Sequence, residues 1–176
     1  MRKGGKYYSP ATKMMHWLMA LIIIGLLVAG TVLENMANGP DKLELMSLHK
    51  SFGVLALLLL FLRIPLRIIN PVRPLKSMSD ADILKAKVVK VLLYLLMLIM
   101  PVSGILMVQS AGYSVAMFGW ELPAMIGEHA QVNDMAGLVH GIASKVLMVV
   151  ILLHIGAALF HHYIRRDETL RRMIKD

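Results

Sequence analysis

The chain has 176 residues, of which 57% are hydrophobic and 17% charged, and its mean hydropathy is +0.66. Soluble domains are roughly 45–50% apolar and about 25% charged, so this composition excludes an ordinary water-soluble fold. The 19 Lys and Arg outnumber the 11 Asp and Glu to give a net charge of +8, and only the placement of those charges separates membrane topology from a nucleic-acid partner. The chain has no cysteine, which excludes a disulfide, an iron–sulfur cluster, a thiolate zinc site and covalently attached c-type haem.

A helix needs about 20 apolar residues to cross a hydrocarbon core, and four runs qualify: Met14–Leu33, Leu48–Ile69, Val88–Gln109 and Ala136–His161. A basic segment precedes the first run, as in a signal peptide, but its apolar length and the lack of a small-x-small site make it a retained signal anchor. Arg63, Pro65 and Arg67 lie in the last turns of the second run, where long cations reach back to the interface. The loop Ser110–Met135 carries Tyr113 and Trp120 among Gly and Pro, and is expected to form an interfacial helix or cap at headgroup level. The reading is an all-α fold, a transmembrane four-helix bundle in one domain over residues 1–176.

Charge placement orients the bundle. Arg2, Lys3, Lys6 and Lys13 precede the first span; Arg73, Lys76, Lys85 and Lys87 join the second to the third; and Arg165, Arg166, Arg171, Arg172 and Lys175 follow the fourth. The other two loops hold Glu34, Asp41, Glu44, Glu121, Glu128 and Asp134 against the single cation Lys42. The positive-inside rule therefore puts both termini in the cytoplasm, and topology accounts for the basic excess without a nucleic-acid partner.

Histidine at membrane depth is expensive and marks a functional site by default. His16 opens the first helix on the inner side, and His49 opens the second on the outer side. His140 and His154 share the fourth helix 14 residues apart, which is ~21 Å along the axis and within ~40° on one face. Depth pairs His49 with His140 near the outer surface and His16 with His154 near the inner one. Two pairs of imidazoles suit two non-covalent b haems, each needing only axial histidines and an apolar cleft. The separation along the fourth helix disfavours a four-ligand zinc or copper site. With both axial positions filled, the expected chemistry is electron transfer across the bilayer. Met148 is a weaker candidate ligand, and the 15 methionines read mainly as packing.

Haem propionates need cations near the surface. Arg63 and Arg67, one turn apart, are either those partners or simple positive-inside anchors, and Lys50 and Lys145 are the outer candidates. Lys90 sits at the cytoplasmic edge of the third span, and His129 is read as an exposed loop residue.

An ordered set of motifs carries a likeness: His16-Trp17-Leu18, Leu48-His49-Lys50-Ser51-Phe52-Gly53, the Arg63 and Arg67 pair, Tyr94-Leu95-Leu96, Phe118-Gly119, His161-His162-Tyr163, Asp167, Thr169-Leu170 and Arg172-Met173. Together they resemble the bacterial cytochrome b561 family over essentially the whole length. Lys90 departs from that pattern, in which histidine often precedes the Tyr-Leu-Leu segment. The resemblance implies a bacterial inner-membrane protein with two b haems on the four histidines above, exchanging electrons with ubiquinone, and it links the chain to superoxide oxidation. His161 and His162, at the inner end of the fourth run, are read as substitutes for His154 as a ligand or as groups close to a ligand or to the quinone. Two further readings compete: a membrane cytochrome subunit serving a separate periplasmic or soluble redox partner, and a colourless transporter using the histidines as a proton relay.

Overall fold

The computed structural model describes residues 5 and 7–174; the basic residues Arg2, Lys3, Lys6 and Lys175 lie outside the described residues. Four long helices dominate: α1 (Pro10–Asn35), α2 (Pro40–Ile69), α3 (Asp80–Ser110) and α4 (Ala130–Tyr163). All four are long and apolar enough to cross a membrane. Each extends beyond its apolar run because local chemistry, not hydropathy, sets its ends. The Ser9 hydroxyl accepts from the Thr12 N–H at 3.3 Å, with Pro10 as first helical residue. Ser79 does the same for Asp82 at 3.2 Å, with Asp80 and Asp82 in the first turn of α3. His129 Nδ1 accepts from the Val132 N–H at 3.4 Å at the start of α4. Such caps satisfy donors that have no partner within the helix, so the helices run on through polar flanks.

The connection between α3 and α4 takes the second of its two expected forms, a cap and not an interfacial helix. It forms a two-stranded hairpin, β1 (Ala116–Met117) and β2 (Trp120–Glu121), with Ala116 opposite Glu121 and Met117 opposite Trp120. The turn residues Phe118 and Gly119 both have positive φ, 51° and 91°, as a mirror-image two-residue turn requires. Glycine adopts that region freely and Phe118 does not. Phe118 is held by the Ser51 hydroxyl, which accepts its N–H at 3.0 Å, and by the ring of Phe52, edge-on at 5.2 Å. Buried Gln109 fixes the rest of the connection, donating to the Pro123 carbonyl at 2.9 Å and accepting from the Met125 N–H at 3.0 Å. The result is a cap on one end of the bundle.

At the opposite end the chain termini meet. Gly5 forms a parallel bridge with Val72, and the short α5 (Arg171–Ile174) folds back beneath the helices. Buried Arg172 donates to the Arg73 carbonyl at 2.9 Å, and the Trp17 indole N–H donates to the Met173 carbonyl at 3.1 Å.

Packing between the helices is uneven. α3 lies closely against α4, α1 against α2, and α2 against α3, whereas no comparably close packing joins α4 to α1 or α2 among the described residues. One core cluster gathers Leu96, Ala143, Leu147 and Val150 between α3 and α4; the other gathers Val54, Ile105 and Val115 beneath the hairpin. Most remaining leucines, isoleucines and valines face outward, as expected where the solvent is lipid. The bundle is therefore tight along α3/α4 and more open along the seams that α4 shares with α1 and α2, with Ile23 and Leu27 of α1 reaching the α3/α4 core.

Candidate functional site

The histidines stand across those open seams. His16 of α1 faces His154 of α4 with ring centres 6.2 Å apart and planes at 73°, and His49 of α2 faces His140 of α4 at 6.3 Å and 72°. All four are half-buried, and among the described residues no hydrogen bond joins the two rings of either pair. A ring nitrogen lies about 1.2 Å from its ring centre and a metal–imidazole bond is about 2 Å long, so two imidazoles on opposite sides of one metal have centres about 6.4 Å apart. Both pairs have that spacing. No group of three or more His, Cys, Asp or Glu comes together among the described residues. The donor set thus fits a metal that already carries its equatorial ligands, as porphyrin iron does, and not a tetrahedral zinc.

Two glycines let neighbouring helices approach the rings of one pair. A Cβ on Gly104 of α3 would sit 3.2 Å from His140 Cε1 and 3.3 Å from its Nδ1, and one on Gly30 of α1 would sit 3.5 Å from His49 Cε1. The polar surroundings of the four rings differ. His140 Nδ1 lies 3.0 Å from the Met100 carbonyl, with the Ser103 hydroxyl 3.2 Å away. A carbonyl only accepts, so Nδ1 carries the proton and Nε2 keeps its lone pair for a ligand. His49 Nδ1 is buried with no hydrogen-bond partner. Such a group is costly unless a ligand or water reaches it.

His16 has a different neighbour. Arg63 reaches inward from α2, its Nη2 donating to His16 Nδ1 at 2.9 Å and its Nε to the Tyr94 hydroxyl at 3.4 Å. Because a guanidinium only donates, a metal at His16 Nε2 would require Arg63 to turn away and the ring proton to move from Nε2 to Nδ1. The freed cation is then available to an anionic group in the same cleft.

The other sequence candidates are distributed as follows. Arg67 donates to the Asn70 carbonyl at 3.0 Å at the end of α2, and its guanidinium lies over the Tyr8 ring at 5.2 Å. Lys50 is half-buried beside His49, and Lys90 is exposed. Lys145 is not a neighbour of His140: it is exposed, about 140° around α4 from that histidine, and this corrects its reading as a partner within the cleft. Met148 is 39% exposed and stays out of the cleft, and His129 serves as the cap of α4.

His161 pairs with Asp167 at 2.5 Å. Burial alone would raise the Asp167 carboxyl, but hydrogen bonds from His161 and from the Thr169 N–H, the latter at 2.8 Å, hold it below its ordinary value of 3.8. This pair ties the end of α4 to the turn leading into α5. Sequence reasoning does not find Gly30, Gly104, Ser103 or the Met100 carbonyl, since each matters through the backbone it brings near a ring.

The chain is similar to known proteins over most of its length. The family model described as prokaryotic cytochrome b561 matches residues 7–176. The chain is similar to cytochrome b561 homolog 2 of Escherichia coli (strain K12), with 32% identity over 176 residues covering 95% of this chain and 90% of that protein. It is 30% identical over 172 residues to the probable superoxide oxidase CybB of Yersinia pestis, covering 96% of each. It is also 26% identical over 168 residues to cytochrome b561 homolog 1 of Escherichia coli (strain K12), covering 91% of this chain and 92% of that protein.

Proposed function

The chain belongs to the prokaryotic cytochrome b561 family, and on that premise we propose that it carries electrons through two b haems, one between His16 and His154 and the other between His49 and His140, from superoxide to ubiquinone. Membership makes it a haem-binding electron-transfer protein of the bacterial inner membrane, crossing it several times. The observation that supports two haems is the repeated ring spacing, 6.2 Å and 6.3 Å, at two levels of one helix. Bound haem b supplies a one-electron ferric–ferrous couple.

The protein's own groups define the rest. The two imidazoles of each pair would hold the haem iron, and a haem held by two histidines would supply electron transfer rather than oxygen activation. Met100 fixes the tautomer of His140 through its carbonyl, and Ser103 supports the same ring nitrogen. Arg63, once released from His16, is placed for a propionate, and Arg67 and Lys50 are the further cations near the two sites. The basic terminal end faces the cytoplasm by the positive-inside rule, which puts the hairpin cap and the His49–His140 pair on the outer side. There Lys50 provides local positive charge beside His49 for an anionic donor such as superoxide, within a surface whose loops are otherwise acidic. Similarity to the probable superoxide oxidase CybB of Yersinia pestis also supports superoxide as the donor.

The test is haem quantification by pyridine haemochrome with the reduced-minus-oxidised spectrum of the detergent-purified protein, followed by superoxide and quinone assays. We expect about two haem b per chain, falling to about one when any of His16, His49, His140 or His154 becomes alanine. A colourless protein made with adequate haem supply overturns the haem sites. Two haems with no reduction by superoxide move the electron donor to a separate redox protein.

A further inference from the structure

Lys145 lies near mid-membrane on a surface that points away from both histidine pairs. On α4 the polar residue next in line toward the hairpin end on the outward side is Asp134, 11 residues away, and toward the terminal end it is Tyr163, 18 residues away. At 1.5 Å per residue those distances are about 16 Å and about 27 Å, and a lysine side chain, about 6 Å long, reaches neither boundary by lying along the helix. The face around it is apolar: Leu138, Ile142, Val149 and Leu152, at positions three, four or seven residues away, are 55% to 64% exposed. No hydrogen bond or ion pair to Lys145 is present among the described residues. A cation exposed to hydrocarbon at that depth is costly unless something pairs with it.

We propose that this outward face of α4, centred on Lys145, is a docking surface for a transmembrane helix of a separate polypeptide that carries a carboxylate at the same depth. Charge complementarity commits the occupant. Lipid phosphates lie at the membrane surface and the bilayer centre supplies no anion. A second copy of this chain does not supply one either, because none of its 11 acidic residues lies within 45–79, 83–120 or 135–166, the apolar interiors of α2, α3 and α4, and the α1 acid, Glu34, sits at that helix's end. The surface also admits close approach. Gly141, one turn before Lys145, and Gly156 have nothing within 4 Å of where a Cβ would be, which leaves the backbone open to a neighbouring helix. Docking there leaves the seams with α1 and α2 clear, so the bound helix and the histidine pairs occupy opposite sides of α4.

The test uses the full-length protein in phosphatidylcholine vesicles, with a fluorophore on one cysteine appended after Asp176, a clean label because the chain has no cysteine of its own. The probe is a labelled leucine–alanine transmembrane peptide with a single central Glu, compared with its Gln counterpart by energy transfer. A buried polar pair between membrane helices is worth up to roughly tenfold in association, so the Glu peptide should associate several-fold to tenfold more tightly than the Gln peptide, and Lys145→Leu should abolish the difference. A Lys145→Glu protein with a Lys-bearing peptide should recover it, which keeps the outcome readable if one variant inserts poorly. Equal association of the Glu and Gln peptides with the native protein, or a preference that survives Lys145→Leu, overturns the proposal.

Discussion

Replacing Gly104 by alanine tests whether His140 sits in a fitted seat. The new methyl would lie 3.2 Å from Cε1 and 3.3 Å from Nδ1 of the ring, tighter than ordinary van der Waals contact, so the ring must move by a few tenths of an ångström. It is not free to do so, because the Met100 carbonyl holds the same Nδ1 at 3.0 Å. Alanine in place of glycine within a helix contributes about 1 kcal/mol, while overpacking costs about 1–3 kcal/mol. The variant should therefore lie between neutral and about 2 kcal/mol less stable, small against the effect on a ligand that must hold its geometry. Pyridine haemochrome measurement should show Gly104→Ala falling from about two haems per chain toward one. Gly53→Ala, where a Cβ meets nothing within 4 Å, should keep both haems and gain up to about 1 kcal/mol. Gly30→Ala, at an ordinary 3.5 Å from His49, should fall between them. Full haem content and an unchanged spectrum for Gly104→Ala would refute the seat.

Two further outcomes concern the terminal end. Asp167 is held below its ordinary pKa, so its contribution to stability is present above about pH 4 and is lost as pH falls through the lower folded value. Asp167→Asn should remove that acid-side loss from a thermal unfolding series, and identical pH profiles for the two proteins would count against it. Trp17→Phe removes one hydrogen bond to the Met173 carbonyl, worth about 0.5–1.5 kcal/mol. It should raise hydrogen exchange at Arg171–Ile174 while leaving the mid-helix amides of α3 and α4 unchanged; equal exchange of the tail in both proteins would mean that the indole does not hold it.

The parts of the molecule legible in its sequence are those governed by the bilayer. Apolar length shows four spans because a backbone in lipid must satisfy its own hydrogen bonds. Helix ends were not legible from hydropathy, since Pro40, Ser79 and His129 begin helices in polar flanks through backbone chemistry. A cap is legible in the loop's Gly, Pro and aromatic residues, but its hairpin form is not, because phenylalanine at positive φ is a poor turn signal and is tolerated through Ser51 and Phe52, far away in sequence. Helical spacing put His140 and His154 on one face of α4. The approach of Arg63 to His16 was hidden, since an arginine near a helix end normally extends toward water. Lys145 was misplaced for a simpler reason: its five-residue separation from His140 suggests proximity, whereas five residues turn a helix by about 500° and carry the side chain round to the far side.

The closure of the terminal end bears on how the protein is made. Trp17 and Met173 are 156 positions apart, and Arg73 and Arg172 are 99 apart. Synthesis proceeds from the amino terminus, so neither contact can form until α4 has emerged and inserted. Until then the seam between α1 and the arriving α4 has no floor. Residues 164–174 thus act as a closing stitch, and a chain cut short after Tyr163 would assemble four spans but leave that end of the His16–His154 cleft unsealed.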